Sequence, residues 1–189
     1  MERQRIGEII TMSTAARSNA GKLDPLVIHP DILAEMRRPI EYLLFMLAGT
    51  PGSIKYDIPN GTRLNYILGG KSELEYIQCA TRHAMRIEAG ELIDQELKSP
   101  HIAQIYWNIK VLQYMRANIG KSIPRTLPDH IKITCLSENT LDLVNTLHAL
   151  GFLCEEKMDN AIQSCLNLII QIAEKQIPED KICEYSLPS

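Results

Sequence analysis

The chain has 189 residues, of which 45% are hydrophobic and 23% charged, a length that suits one domain and a composition that excludes a disordered tail, a collagen-like repeat or a coiled-coil rod. The formal charge of −3 gives no general attraction for phosphate backbones, so nucleic acid is an unfavoured partner. Five cysteines without a CxxC pair fit a reducing compartment, and neither an apolar leader nor a membrane span is legible, so the expectation is a cytoplasmic protein.

Residues 1–22 place Ile6, Ile9 and Ile10 at helical spacing and then run into Ser, Thr, Ala and Gly, a weakly held helix and linker preceding a single domain over 23–178. From Asp31 to Ala48, Leu33, Met36, Ile40, Leu43, Leu44 and Leu47 follow the helical period, and Pro39 forces a kink or a break just after Arg38. The string SIKYDI, PNG, TRLNYIL over 53–68 reads as a β-hairpin, with Ile54 opposite Tyr66 and Tyr56 opposite Leu64. Ser72 with Glu75 makes a capping box for the next helix, whose stripe is Leu74, Ile77, Ala84 and Met85 and which Gly90 either ends or bends. A helix from Ser99–Pro100 to Gly120 follows. Strands are expected near 130–136 and 152–158, flanking a helix that Ser137 caps and Gly151 closes. A long helix from Asp159 to about Gln176 precedes a tail over 179–189. The sum is a mainly helical α+β fold, a small sheet covered by four to five helices.

Gly69, Gly70, Lys71 and Ser72 stand between a strand and a helix, where a phosphate loop would sit. A complete loop needs a further glycine separated from the Gly-Lys-Ser by four residues, and Asn65 occupies that place; the copy at Gly120, Lys121, Ser122 has Met115 there. What remains is a weak anion site at the Ser72 helix start. His29, Pro30 and Asp31 spell the tripeptide of J-domain co-chaperones, but SNAGKLDPLVI upstream lacks the basic helix of that domain, and proline with aspartate entering a helix explains all three.

Cys79 and His83 lie four apart on a helix, yet no second pair of ligands accompanies them. Neither a metal site nor a cofactor is assigned. The acidic pairs Glu73 with Glu75, Glu88 with Glu91, and Glu155 with Glu156 lack a companion motif, and no GxSxG, HExxH or GxGxxG occurs. No catalytic residue is assigned, and a non-enzyme is favoured.

The helix after Pro100 carries two apolar stripes: Ile102, Ile105, Tyr106, Ile109 and Leu112 on one side, Ala103, Trp107, Val111 and Tyr114 with Lys110 on the other. A central helix enclosed by its own domain would use both. The reading adopted from the sequence instead makes Trp107, Lys110, Val111 and Tyr114 a docking surface for a helical segment of a partner protein. The resulting expectation is an adaptor or chaperone-like subunit, similar in size and helix-plus-hairpin character to small adaptors of bacterial secretion systems. The alternative is a small enzyme or phosphate-ligand protein using the helix start at Gly70, Lys71 and Ser72.

Overall fold

The computed structural model describes residues 28–55, 71–118, 140–151 and 155–183. Among them are seven helices and one two-stranded sheet: α1 (Pro30–Glu35), α2 (Pro39–Lys55), α3 (Glu73–Glu88), β1 (Ile93–Asp94), β2 (Ser99–Pro100), α4 (His101–Asn118), α5 (Thr140–Leu150), α6 (Glu155–Gln176) and α7 (Glu179–Cys183). The mainly helical α+β class expected from the sequence is the class observed.

Proline sets both early helix starts. Pro30 opens α1 behind His29, whose Nδ1 accepts the Asp31 amide at 3.3 Å. The chain leaves α1 at Met36 and re-enters helix at Pro39, where a missing N–H costs nothing. Glu41 bridges this break. Its Oε2 accepts the amides of Arg37 at 2.8 Å and Arg38 at 3.0 Å, satisfying donors that the new helix leaves open. The other oxygen, Oε1, accepts the buried Tyr106 hydroxyl at 3.1 Å and so ties the break to α4.

Helix α3 begins at the predicted capping box. The Glu75 amide donates to Ser72 Oγ at 3.4 Å, and Glu75 Oε2 accepts the Ser72 amide at 2.7 Å. Its buried stripe is Tyr76, Ile77, Ala80, Ala84 and Ile87; Met85, read as buried from the sequence, is 58% exposed. The helix ends in a Schellman arrangement, the Gly90 amide donating to Ile87 O and the Glu91 amide to Arg86 O. Gly90 sits at φ +87°, a left-handed conformation open to glycine at no steric cost.

Helix α4 is the axis of the bundle. It touches α1, α2, α3, α6 and β2, while α5 packs between α3 and α6. Apart from Trp107 and Gln113, every residue from His101 to Arg116 is buried. The two apolar stripes read from the sequence are therefore both used inside the chain, in a helix that packs against α2, α3 and α6.

Two expected strands are helical where the structure describes them. Ser53, Ile54 and Lys55, placed in the first arm of a hairpin, continue α2 through Pro51, and 56–70 lie outside the described residues. Glu155 to Met158, the second half of the expected 152–158 strand, form the first turn of α6. Residues 130–136 also lie outside the description. The sheet that is present pairs Ile93 with Pro100 and Asp94 with Ser99, antiparallel, in a segment read as loop. Beyond α6, Ile182 of α7 packs against the core.

Candidate active site

Three side chains meet where α3, the small hairpin and α4 converge. His83 comes from the last half of α3, on the edge of its buried stripe. The Schellman turn at Gly90 then reverses the chain and sends it across to β1, which delivers Asp94. A four-residue turn, with Lys98 at φ 55° and its amide donating to Asp94 O at 2.8 Å, returns the chain to β2. His101 follows as the first residue of α4, and its amide donates to Leu92 O at 2.9 Å. Backbone geometry thus fixes each contributor before any side chain is considered.

The ligand-type atoms of His83, Asp94 and His101 all lie within 4.8 Å of one another. The two Nδ1 atoms are 2.8 Å apart, and the rings tilt at 43° with centroids 5.1 Å apart. Asp94 Oδ2 stands 3.9 Å from His83 Nδ1. Its other oxygen is engaged: Oδ1 accepts the amides of Glu96 and Leu97, each at 2.8 Å, which locks the carboxylate in place. His101 is 4% exposed, whereas the His83 and Asp94 side chains are 21% and 16% exposed. The cluster is enclosed on one side and reachable on the other.

Burial pushes the His83 imidazole down to about 4, and the neighbouring His101 adds to the effect while Asp94 opposes it. Burial also lowers His101, against the raising influence of Asp94 and Glu91. At neutral pH both rings are uncharged. Two facing Nδ1 atoms at this distance then share one hydrogen, one ring donating and the other accepting. Such a pair can take up a proton from a water molecule or offer lone pairs to a cation, with the carboxylate supplying negative charge. Positive charge stands nearby on α3. Arg82 and Arg86 are exposed, Arg82 donating to Cys79 Sγ at 2.9 Å and Arg86 pairing with Glu91 at 3.1 Å.

The residues singled out from the sequence fall elsewhere. Val111 is fully buried, Lys110 is 5% and Tyr114 6% exposed, and Trp107, half-buried, packs against the core with Phe45 and Tyr76 at ring-centroid distances of 6.2 and 6.5 Å. Lys110 Nζ is bonded to Glu35 Oε2 and Gln113 Oε1, each at 2.8 Å. These four side chains serve the interior of the bundle. Gly69 and Gly70 lie outside the described residues. Lys71 reaches over the Tyr76 ring at 5.7 Å, and Ser72 holds its own Glu75 carboxylate, a charge that an incoming anion would meet. Cys79 shares a helix with His83 but is not part of the cluster; His83 is joined to His101 instead.

The family described as dATP/dGTP diphosphohydrolase, N-terminal, matches residues 12–123, more than half of the sequence. The chain belongs to this family. No curated protein and no solved structure matches it. The match spans α1 to α4 and contains the whole His83, Asp94, His101 cluster, whereas α5 to α7 lie beyond it. It overturns the adaptor, chaperone and secretion reading and the expectation of a non-enzyme, and it favours the alternative of a small enzyme. The physical reason for the error lies in α4, whose second apolar stripe is covered by its own chain. No helix among the described residues is long and apolar enough to cross a membrane.

The sequence did carry a signal for the cluster. His83 stands beside Ala80, Ala84 and Ile87 on the buried side of an amphipathic helix, and His101 opens the most buried helix among the described residues. What linked them was the left-handed turn at Gly90, which periodicity does not reveal.

Proposed function

We propose that this chain hydrolyses purine 2′-deoxynucleoside triphosphates to the monophosphate and diphosphate, with the His83, Asp94, His101 cluster as its reaction centre. The observation that carries the reading is the family match over the segment that holds all three residues. In this reaction the oxygen of a water molecule adds to phosphorus and the P–O bond between the α and β phosphates breaks. The water loses a proton, and diphosphate departs. The imidazole of this pair that accepts the shared hydrogen can receive that proton once the His83–His101 bond opens toward the water, and its acceptor role is maintained at neutral pH because burial disfavours the imidazolium. Asp94, held by two backbone amides, steadies the charge that the ring then acquires. Arg82 and Arg86, one helical turn apart on the solvent side of α3, suit the negative charge of a triphosphate.

The test uses the full chain with each of the four deoxynucleoside triphosphates in a buffer containing divalent cations, products being resolved by anion-exchange chromatography. Monophosphate and diphosphate are expected in equal amounts, faster from dATP and dGTP than from dCTP and dTTP. Replacing His101 by Ala is expected to lower the rate by at least about 100-fold, the scale of a lost proton acceptor. No turnover of any of the four, or undiminished turnover in both His83→Ala and His101→Ala, overturns the proposal.

A further inference from the structure

We infer that His83 Nδ1, His101 Nδ1 and Asp94 Oδ2 form a three-ligand site for one divalent first-row transition ion of the zinc and manganese class. Convergence is the first argument. Two imidazole nitrogens and a carboxylate oxygen from three separate elements lie within 4.8 Å of one another, and the nitrogens point at each other across 2.8 Å. Around a tetrahedral ion with bonds of about 2.0–2.1 Å, two nitrogen ligands stand roughly 3.3 Å apart. An opening of about half an ångström between the rings therefore admits the ion, a change within reach of side-chain rotation alone.

The support of each ligand is the second argument. Metal sites hold their ligands through an outer layer of hydrogen bonds. Asp94 has that support, since Oδ1 accepts the amides of Glu96 and Leu97 and leaves Oδ2 on the side of the histidines. His101 is fixed through its backbone and its surroundings: its amide is bonded to Leu92 at the first turn of α4, and its ring lies in the interior. The donor set decides the class of ion. Imidazole nitrogens suit zinc, iron, cobalt or nickel and accommodate manganese, whereas calcium and magnesium take oxygen ligands almost exclusively. Three protein ligands also leave at least one coordination position for water or a phosphate oxygen, the arrangement of a working site rather than a closed structural one.

This inference deepens the hydrolase reading by giving its reaction centre an ion, and the two can fail separately. Full-length protein stripped with a chelator and dialysed is titrated with zinc by calorimetry and with cobalt(II) by visible absorption. Uptake of one ion per chain is expected, with the intense d–d bands of four-coordinate cobalt. Asp94→Asn, which keeps the amide-accepting oxygen and removes the charge, and His101→Gln are each expected to weaken zinc binding by more than the roughly 10- to 100-fold that loss of an outer-layer partner costs. Cys79→Ser is expected to bind as the parent does, since its sulfur lies outside the cluster. Circular dichroism checks that each variant is folded. Absence of uptake by the parent chain overturns the inference, as does unchanged affinity in folded Asp94→Asn and His101→Gln. Stoichiometric uptake without turnover of any deoxynucleotide keeps the ion and sinks the hydrolase reading; turnover by stripped protein that takes up no ion does the reverse.

Discussion

The two ends of α4 bury polar groups in opposite ways. Toward its C-terminus, Lys110 meets Glu35 and Arg116 meets both Glu73 at 2.7 Å and Asp159 at 2.8 Å, so each cation is answered by carboxylates from α1, α3 or α6. At its N-terminus, His101 meets another imidazole that burial also keeps uncharged, and one carboxylate of the neighbouring hairpin. The first end is neutralised pair by pair and joins helices. The second joins two uncharged rings through one shared hydrogen beside a carboxylate, an arrangement that gives little cohesion and is reactive toward protons and cations. Both use the same buried helix, so burial of a polar residue does not by itself separate architecture from chemistry; the partner does.

The strongest way to break this comparison is at Arg116, whose side chain is 1% exposed. Arg116→Ala leaves Glu73, itself 11% exposed, without that guanidinium in a poorly hydrated place. A loss of about 3 kcal/mol is expected, the low end for breaking a buried pair, measured as a shift in the urea midpoint. Arg116→Lys recovers only part of it, because one ammonium cannot span two carboxylates as the guanidinium fork does. A loss under about 1 kcal/mol in the alanine variant would place this end of α4 on the same footing as the other.

Next in size is Tyr106→Phe, which removes the hydroxyl given to Glu41 and with it the link between α4 and the Pro39 break. Burial raises this hydroxyl well above its ordinary range, so it remains a donor. Thermal unfolding is expected to report a loss of about 1.5 kcal/mol, the scale of a hydrogen bond to a charged acceptor.

How far the sequence could be read follows from the reach of each signal. Pro39, the Ser72 and Glu75 box and Gly90 each act within a few residues, and all three mark helix ends in the structure. Longer-range features were misread. Alternation around Ile54 imitates a strand, yet α2 runs on to Lys55, and Glu155 to Met158 begin a helix because α6 packs on α4 and α5. The two stripes of α4 were visible, but periodicity counts apolar faces without saying what covers them. His83 and His101 are eighteen positions apart, and their meeting depends on two left-handed residues, Gly90 and Lys98. Gly90 was recognisable as a helix end or bend, whereas Lys98 in that conformation had no sequence signature at all.

A smaller effect sharpens the contrast at the start of α3, where charge is exposed and serves only the helix. Ser72→Ala is expected to cost about 1 kcal/mol by loss of the cap. The backbone hydrogen bond from Ser72, joined by its hydroxyl, holds the Glu75 carboxyl below its ordinary 4.5. Its folded value is the lower one, so the unfolded chain binds the proton more readily. The contribution of this carboxylate is complete above pH 4.5 and disappears as the pH falls through the folded value. Glu75→Gln retains an acceptor and removes the ionisation, so the parent and this variant should converge in stability on acidification.

The smallest stability change is expected at the site itself. His101→Leu substitutes an apolar side chain of similar volume for an imidazole that must give up water to occupy its place, and the one bond surrendered is to His83, which has access to solvent in exchange. With chelator present, so that no ion stabilises the parent, the urea midpoint should move by the equivalent of less than about 1 kcal/mol in either direction. A loss as large as that of Arg116→Ala would mean that the imidazole pair is a structural tie. The buried histidine would then have the same role as the buried arginine, and the partner rule drawn from α4 would fail at the end where it matters for chemistry.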